Sequence, residues 1–383
     1  MMSPPTSKYL RKACVSINDP DPVARLAQQL GRDNAFVAMF ASPNADFTAI
    51  MRHASILFSR AEVVGCTTAG EVFGGYVEDQ IVAIALPFSD FAVSMVEVSD
   101  LANLDGKQVV KDMIVARRDL AAAHPEFTSE FAFLIVDGTS FHEDELMNVL
   151  AHGLGPVPLF GGSAGDGARF EKSLVARGAK VRQQGAYLTF VRTRCPIKVF
   201  SLDHLDVTQE RMVVTKADPS RRQVQEINGA PAAIEYARLL KKDPGQLGPF
   251  TFAAHPLVVR AGGRYHVRSI QRVANGTDLV FFSAIDEGVV LTLATPQHLA
   301  QTLDARLSEL TEGQGMLDGI LACDCILRRI ESQQKQLNHV MADVLQRHRV
   351  TGFSTYGEQF GALHVNMTMT GIAIFEPEDG VDG

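Results

Sequence analysis

Three histidines stand where a single imidazole could do chemistry. They are His255 before Pro256, His266 in Tyr265-His266-Val267-Arg268, and His364 in Leu363-His364-Val365-Asn366. None of the 11 histidines forms a His-x-x-x-His pair, so a helical zinc site is not indicated. A haem needs one such imidazole, a large apolar pocket and cations for its propionates, which this residue set permits without demanding. The absence of Cys-x-x-Cys-His excludes covalent haem attachment. Cys323-Asp324-Cys325 lacks a second half at zinc spacing, and in a strand both thiols fall on one face, which favours packing. Gly161-Gly162-Ser163-Ala164-Gly165 matches the nucleophile-elbow pattern. Flanking strands replace the helix that an elbow requires, so a hydrolase using Ser163 is a minor alternative.

The elements that must hold these groups come in two copies. Thr68-Ala69-Gly70-Glu71 returns as Ser163-Ala164-Gly165-Asp166, and Phe36-Val37-Ala38-Met39-Phe40 as Phe131-Ala132-Phe133-Leu134-Ile135, 95 residues on (131 − 36). Self-similarity at that distance implies a duplicated half-domain. Neither turn is followed by the Gly-Lys-Ser/Thr of a P-loop or by the helix of a dinucleotide site. Apolar spacing predicts helices over 46–61, 106–123, 231–240 and 331–348, and another with Leu299, Leu303, Leu307 and Leu310 on one face after Thr295-Pro296. Ser140-Phe141-His142-Glu143 reads as a capping box. Strands are expected near 63–65, 81–86, 91–98, 173–176, 186–191, 198–202, 251–259, 265–273, 278–284, 289–294, 315–330, 352–356 and 364–375. The reading is mixed α/β: a lead-in over 1–33, a duplicated α/β domain over 34–206, a charged boundary near 207–222, and a second α/β domain over 223–377.

Composition narrows the function classes. The 46% apolar and 21% charged contents are those of a globular protein, and the net charge of −8 argues against nucleic-acid binding. No apolar run is long enough to span a bilayer, and the first residues lack the apolar stretch of a secretory signal. The odd count of 5 cysteines without paired spacing suggests a reducing, cytoplasmic setting.

Gly65-Cys66-Thr67-Thr68-Ala69-Gly70-Glu71 together with Gly161 to Asp166 resembles the N-terminal half of the FIST sensory module. Asn228-Gly229-Ala230-Pro231-Ala232 and Tyr356-Gly357-Glu358 resemble its C-terminal half. The resemblance covers roughly residues 34 to 375. A narrower likeness, to the nitric-oxide-sensing NosP type, rests on Phe353 to Gln359, His364 to Gly371, Ala284 to Leu291 and Asp324 to Arg329. It implies a cytosolic b-type haem protein that binds nitric oxide and controls a separate histidine kinase or cyclic-di-GMP enzyme. No kinase-like or GGDEF-like segment is present, so output would pass through a partner; a homodimer is compatible with this reading.

The resemblance carries over no axial ligand. On the residues, His364 is the first choice, expected to share a strand face with Asn366 and Thr368, and Tyr356 belongs to the same haem site. His266 is the second choice, with Arg268 to meet a propionate. The plain alternative for His364 is a core histidine bonded to Glu358 across a hairpin. The alternative function is a FIST-type receptor for a metabolite such as an amino acid, without haem, using Asn228, Tyr356, Glu358 and Asn366.

Overall fold

The computed structural model describes residues 7–261 and 263–377, without the side chains of residues 261 and 264. The chain opens with a strand–helix–strand–helix–strand unit. Its elements are β1 (Arg11–Ser16), α1 (Pro22–Leu30), β2 (Asn34–Ala41), α2 (Phe47–Leu57) and β3 (Glu62–Thr67). Asp46 caps α2 through the Ala49 N–H at 3.0 Å, and Phe47, Ile50, Met51 and Ala54 line its buried stripe. A short hairpin follows, β4 (Glu71–Phe73) and β5 (Tyr76–Val77), and then β6 (Gln80–Pro87). The order repeats as β7 (Phe91–Val98), α3 (Gly106–Ala123), β8 (Ser129–Val136), α4 (Glu143–Leu154), β9 (Leu159–Ser163), the hairpin β10 (Val175–Arg177) and β11 (Lys180–Arg182), and β12 (Ala186–Thr193).

A third copy begins at β13 (Ile197–Leu202) and is interrupted at once by an inserted domain. That domain holds β14 (Leu205–Asp218), β15 (Gln223–Ile227), β16 (Ala230–Pro231), α5 (Ala232–Leu239), α6 (Pro249–Ala254), β17 (Leu257–Ala261), β18 (Arg264–Arg268), β19 (Ile270–Ala274), β20 (Asp278–Phe281) and β21 (Val290–Pro296). The copy then resumes with α7 (Leu299–Thr311), β22 (Leu317–Cys325), α8 (Ile326–Gln334), α9 (Asn338–Arg347), β23 (Val350–Thr355), the hairpin β24 (Glu358–Phe360) and β25 (Leu363–Val365), and β26 (Met369–Phe375).

The expected duplication is therefore a triplication. The three six-stranded sheets run β1-β6-β2-β3-β10-β11, β7-β12-β8-β9-β24-β25 and β13-β26-β22-β23-β4-β5. In each, one parallel pair is joined by a helical crossover and flanked by antiparallel strands. The last two strands of every sheet come from a different copy, so the hairpins are exchanged in a ring. Each sheet carries helices on one face and turns the other toward a shared apolar centre. There Phe40 stacks on Phe353 at 4.4 Å between centroids and meets Phe133 edge-on at 6.5 Å.

Several local expectations change. Residues 11–30 are a paired strand and a helix of the first copy, not a lead-in. The charged stretch 207–222 lies largely in β14, the spine of an eight-stranded sheet ordered β18-β17-β21-β14-β15-β20-β19 with β16 on β15. Residues 249–254 are helical, and a strand starts only at Leu257. The expected strand 315–330 stops at Cys325, where α8 starts, and the expected helix 331–348 is two helices broken at 335–337. Pro296 ends β21, so His298 rather than Thr295 caps α7. The capping box does not form: His142 is the N-cap without a side-chain bond, and the Glu143 carboxylate goes to Arg222. Among the described residues no helix is long and apolar enough to cross a membrane.

Candidate functional site

The small-residue turns that follow β3, β9 and β23 meet one another. The Ala69 N–H donates to Ser354 O at 2.9 Å, and the Ser354 N–H donates back to Gly70 O at 2.7 Å. The same exchange joins the third turn to the second: Tyr356 N–H to Ser163 O at 3.2 Å, Ser163 N–H to Gly357 O at 2.8 Å. The Gly165 N–H closes the ring on Thr67 O at 3.0 Å. Each turn ends in a buried carboxylate. Glu71 accepts from the Thr68 hydroxyl at 2.5 Å, and Glu358 from the Thr355 hydroxyl at 2.6 Å. Burial pushes Glu71 up to about 7 and Glu358 up to about 8.

The third turn differs from the others in what covers it. The hairpin β24–β25 pairs Gln359 with His364, and the inserted domain closes over it. His364 is 3% exposed. Its Nδ1 lies 3.1 Å from Gln359 Nε2, which also donates to the Ser163 hydroxyl at 2.9 Å. The His364 Nε2 and Gln359 Oε1 have no partner. Asn366 Oδ1 accepts from the Ser283 hydroxyl at 2.9 Å and the Ser269 N–H at 3.4 Å, while its Nδ2 and the Ser269 hydroxyl are unpartnered. Arg268 donates to His364 O at 3.0 Å. Two further bonds fasten the insertion to α4: the buried Arg222–Glu143 ion pair, and the Ala284 N–H to Asp144 at 3.1 Å. Burial drives the His364 pKa down against the opposing pull of Asp144 and Glu143, so the imidazole is neutral.

His364, Asn366 and Arg268 therefore lie together at the seam between core and insertion. His364 is not strand-continuous with Thr368: β25 ends at Val365, and Met367 at φ 51° breaks the run. Its ring partner is Gln359; Glu358 pairs with Val365 instead. Tyr356 is near but fully engaged. Its hydroxyl donates to the Asp166 carboxylate and accepts from the Asp166 and Phe170 N–H groups at 3.0 and 3.2 Å. Glu358 is likewise saturated, by Thr355 and by the N–H and hydroxyl of Thr368. Asn228 sits in the β15–β16 turn of the insertion, holding the Val213 N–H at 2.9 Å and Glu235 at 2.9 Å. His266 lies half-buried on β18, paired with Val259.

A haem does not fit this arrangement as packed. The orphaned Nε2 suits an iron, but a Cβ built on Gly357 would lie 2.2 Å from His364 Cε1, and Asn366 Nδ2 is 3.0 Å from the same point. The nearby pocket of about 510 Å³ is lined by Arg268 and Tyr265, not by His364 or His266. Among the described residues no group of three or more His, Cys, Asp or Glu could hold a metal ion. Cys323 and Cys325 are buried, and desolvation raises both thiols well above the ordinary range, so they are inert. Ser163 faces the amide of Gln359, which is no base, so it lacks the partner a nucleophile needs.

Sequence reasoning missed Gln359, Ser269, Ser283, and the Arg222–Glu143 pair. One signal for the ring of turns was present: Gly352-Phe353-Ser354-Thr355-Tyr356-Gly357-Glu358 is a third variant of Gly65 to Glu71.

The site is thus a turn of a triplicated α/β core with a domain docked over it. The FIST N domain matches residues 35–230 and the FIST C domain residues 232–361. The chain belongs to the FIST family, whose domains are sensory domains for small ligands. A search of curated proteins finds no match.

Proposed function

We propose that the seam between the inserted domain and the hairpin β24–β25 receives the small ligand, and that docking of the insertion reports it. One observation carries this reading. His364 Nε2, Asn366 Nδ2 and the Ser269 hydroxyl are buried side by side without partners. Each such atom costs about 1–3 kcal/mol, which a ligand with matching donors and acceptors would recover. For a signal to leave, the ligand must favour one docking state of the insertion over another. Arg222, Ala284 and Arg268, the insertion's polar contacts with α4 and β25, are where those states would differ.

The finer reading is haem-based sensing of nitric oxide, with His364 as the iron ligand, His266 as second choice, and output through a separate histidine kinase or cyclic-di-GMP enzyme. The orphaned Nε2 supports it. So does Gln359: amide oxygen and nitrogen are interchangeable in assignment. Turned over, its oxygen would accept from both Ser163 and His364 Nδ1–H, the second bond that metal-ligating imidazoles use. The packing of Gly357 against His364, both in the core, opposes it.

Hemin and a panel of amino acids, added separately to the full chain, separate the readings. A Soret band that shifts with nitric oxide and is lost in His364→Ala supports haem. A colourless protein whose melting temperature rises with an amino acid, and no longer does so in Asn366→Leu, supports the metabolite receptor. If His364→Ala and Asn366→Leu respond to every probe as the wild type does, the seam is not the site.

A further inference from the structure

The exposed end of the inserted sheet carries a second feature that the seam does not use. Strand register places Arg211 beside Thr292, Thr292 beside Val258, and Arg260 beside Tyr265, so these side chains share one face. Toward the core that face is apolar: Val258, Val267 and Ala294 pack in one cluster with Tyr356. Away from the core it opens into the pocket of about 510 Å³, which Arg211 and Arg260 line from this face; Arg268, from the other face at the end of β18, and one carboxylate, Asp286, complete its charged lining. Three guanidiniums against one carboxylate leave a lining charge of +2 in a chain whose net charge is −8. Among the described residues none of the three arginines forms an ion pair, although most other arginines with buried or half-buried head groups do. Arg268 is the most enclosed; desolvation disfavours its charge, and only one of its nitrogens is bonded, to the carbonyls of His364 and Val267.

We infer that this pocket binds a small organic anion, a carboxylate or a phosphate ester, through Arg211, Arg260 and Arg268. A guanidinium presents a fork of donors that matches either group bidentately, and three of them lining one pocket without ion-pair partners favour an anion over a cation. The apolar wall of Val259, Ile285 and Val289 fits an organic body rather than a bare ion. Arg268 reaches from the pocket to the backbone oxygen of His364, so an anion that draws its guanidinium outward acts on the hairpin bearing the orphaned imidazole. The anion site stands on its own geometry; only this link rests on the seam reading.

The test uses the full chain at constant ionic strength, with succinate, glycerol 3-phosphate and neutral succinamide as probes. Saturable stabilisation by succinate or glycerol 3-phosphate but not by succinamide is expected, and whichever anion acts identifies the headgroup. Arg211→Gln with Arg260→Gln, both exposed on folded strands, should weaken binding at least tenfold. Slower or faster hydrogen exchange at residues 363–366 on anion binding, lost in Arg268→Gln, is expected from the link. No saturable binding of either anion, equal binding by the double variant, or equal binding of succinamide overturns the inference. Anion binding that leaves exchange at 363–366 unchanged sinks the link while the pocket stands.

Discussion

The hairpins β4–β5 and β24–β25 are the same device built twice, and they end differently. Glu71 pairs with Val77 and Val72 with Tyr76; Glu358 pairs with Val365 and Gln359 with His364. Tyr76 and His364 are thus equivalent positions. The Tyr76 hydroxyl donates to Asp324 at 2.6 Å, and Asp324 in turn holds Arg328 at 2.7 Å. Gly70 packs against the guanidinium of Arg329, whose nitrogens reach Glu71 O, Val77 O and Glu78. Gly357 packs against His364, and there the network stops at an empty nitrogen. At this position the first hairpin's Tyr76 hydroxyl finds a partner, although Arg328 Nη2 beyond it has none, whereas the third hairpin leaves His364 Nε2 itself unpaired beneath the inserted domain. Equivalent backbone with unequal satisfaction is a sharper pointer to function than burial alone.

Breaking the closed hairpin should cost most. Arg328→Met leaves Asp324 buried without its cation, and a loss of about 3–5 kcal/mol is expected in urea denaturation. The pH dependence comes next and concerns both hairpins. Glu71 and Glu358 are held near 7 and 8 by burial, against 4.5 in the unfolded chain. The folded state therefore keeps protons that the unfolded state releases. Stability is highest below about pH 4.5 on this account and falls as pH rises toward 8, by roughly 1.4 kcal/mol per unit for each group. Melting temperature should drop between pH 5.5 and pH 8, and Glu71→Gln with Glu358→Gln should flatten that slope; equal slopes would mean the carboxylates are already charged.

Tyr76→Phe strands one oxygen of Asp324 and is expected to cost about 1–3 kcal/mol. His364→Leu removes an imidazole whose Nε2 bonds to nothing, so its cost should be the smallest, within about 1 kcal/mol. If denaturant midpoints show His364→Leu costing as much as Tyr76→Phe, the third hairpin is as structural as the first and the comparison fails.

Much of this was written in local patterns. Strands β6, β7 and β12 and helices α2 and α3 follow from apolar spacing, because their partners are near in sequence or their burial is two-sided. The third copy was hidden by the insertion, which separates β13 from α7 and breaks the period that exposes the first two. The roles of Tyr356 and Glu143 were illegible for another reason. Tyr356 is satisfied by Asp166, 190 residues away, and Glu143 by Arg222, 79 residues away. No local rule sees such a partner, so Glu143 reads as a capping residue and Tyr356 as a ligand contact. His364 stands out in sequence only as a strand histidine; its empty nitrogen exists only once the insertion has closed.

The ring exchange of hairpins also sets a clock on biosynthesis. Residues 71–77 leave the ribosome early, yet their partner strand ends at residue 355. At about 5–20 residues per second, that edge waits on the order of 15–55 seconds before it can pair. An open edge of that duration invites intermolecular pairing. The hairpin bearing His364 is the last of the three to arrive. The seam is therefore assembled only after residues 363–366 have been made, long after the first hairpin.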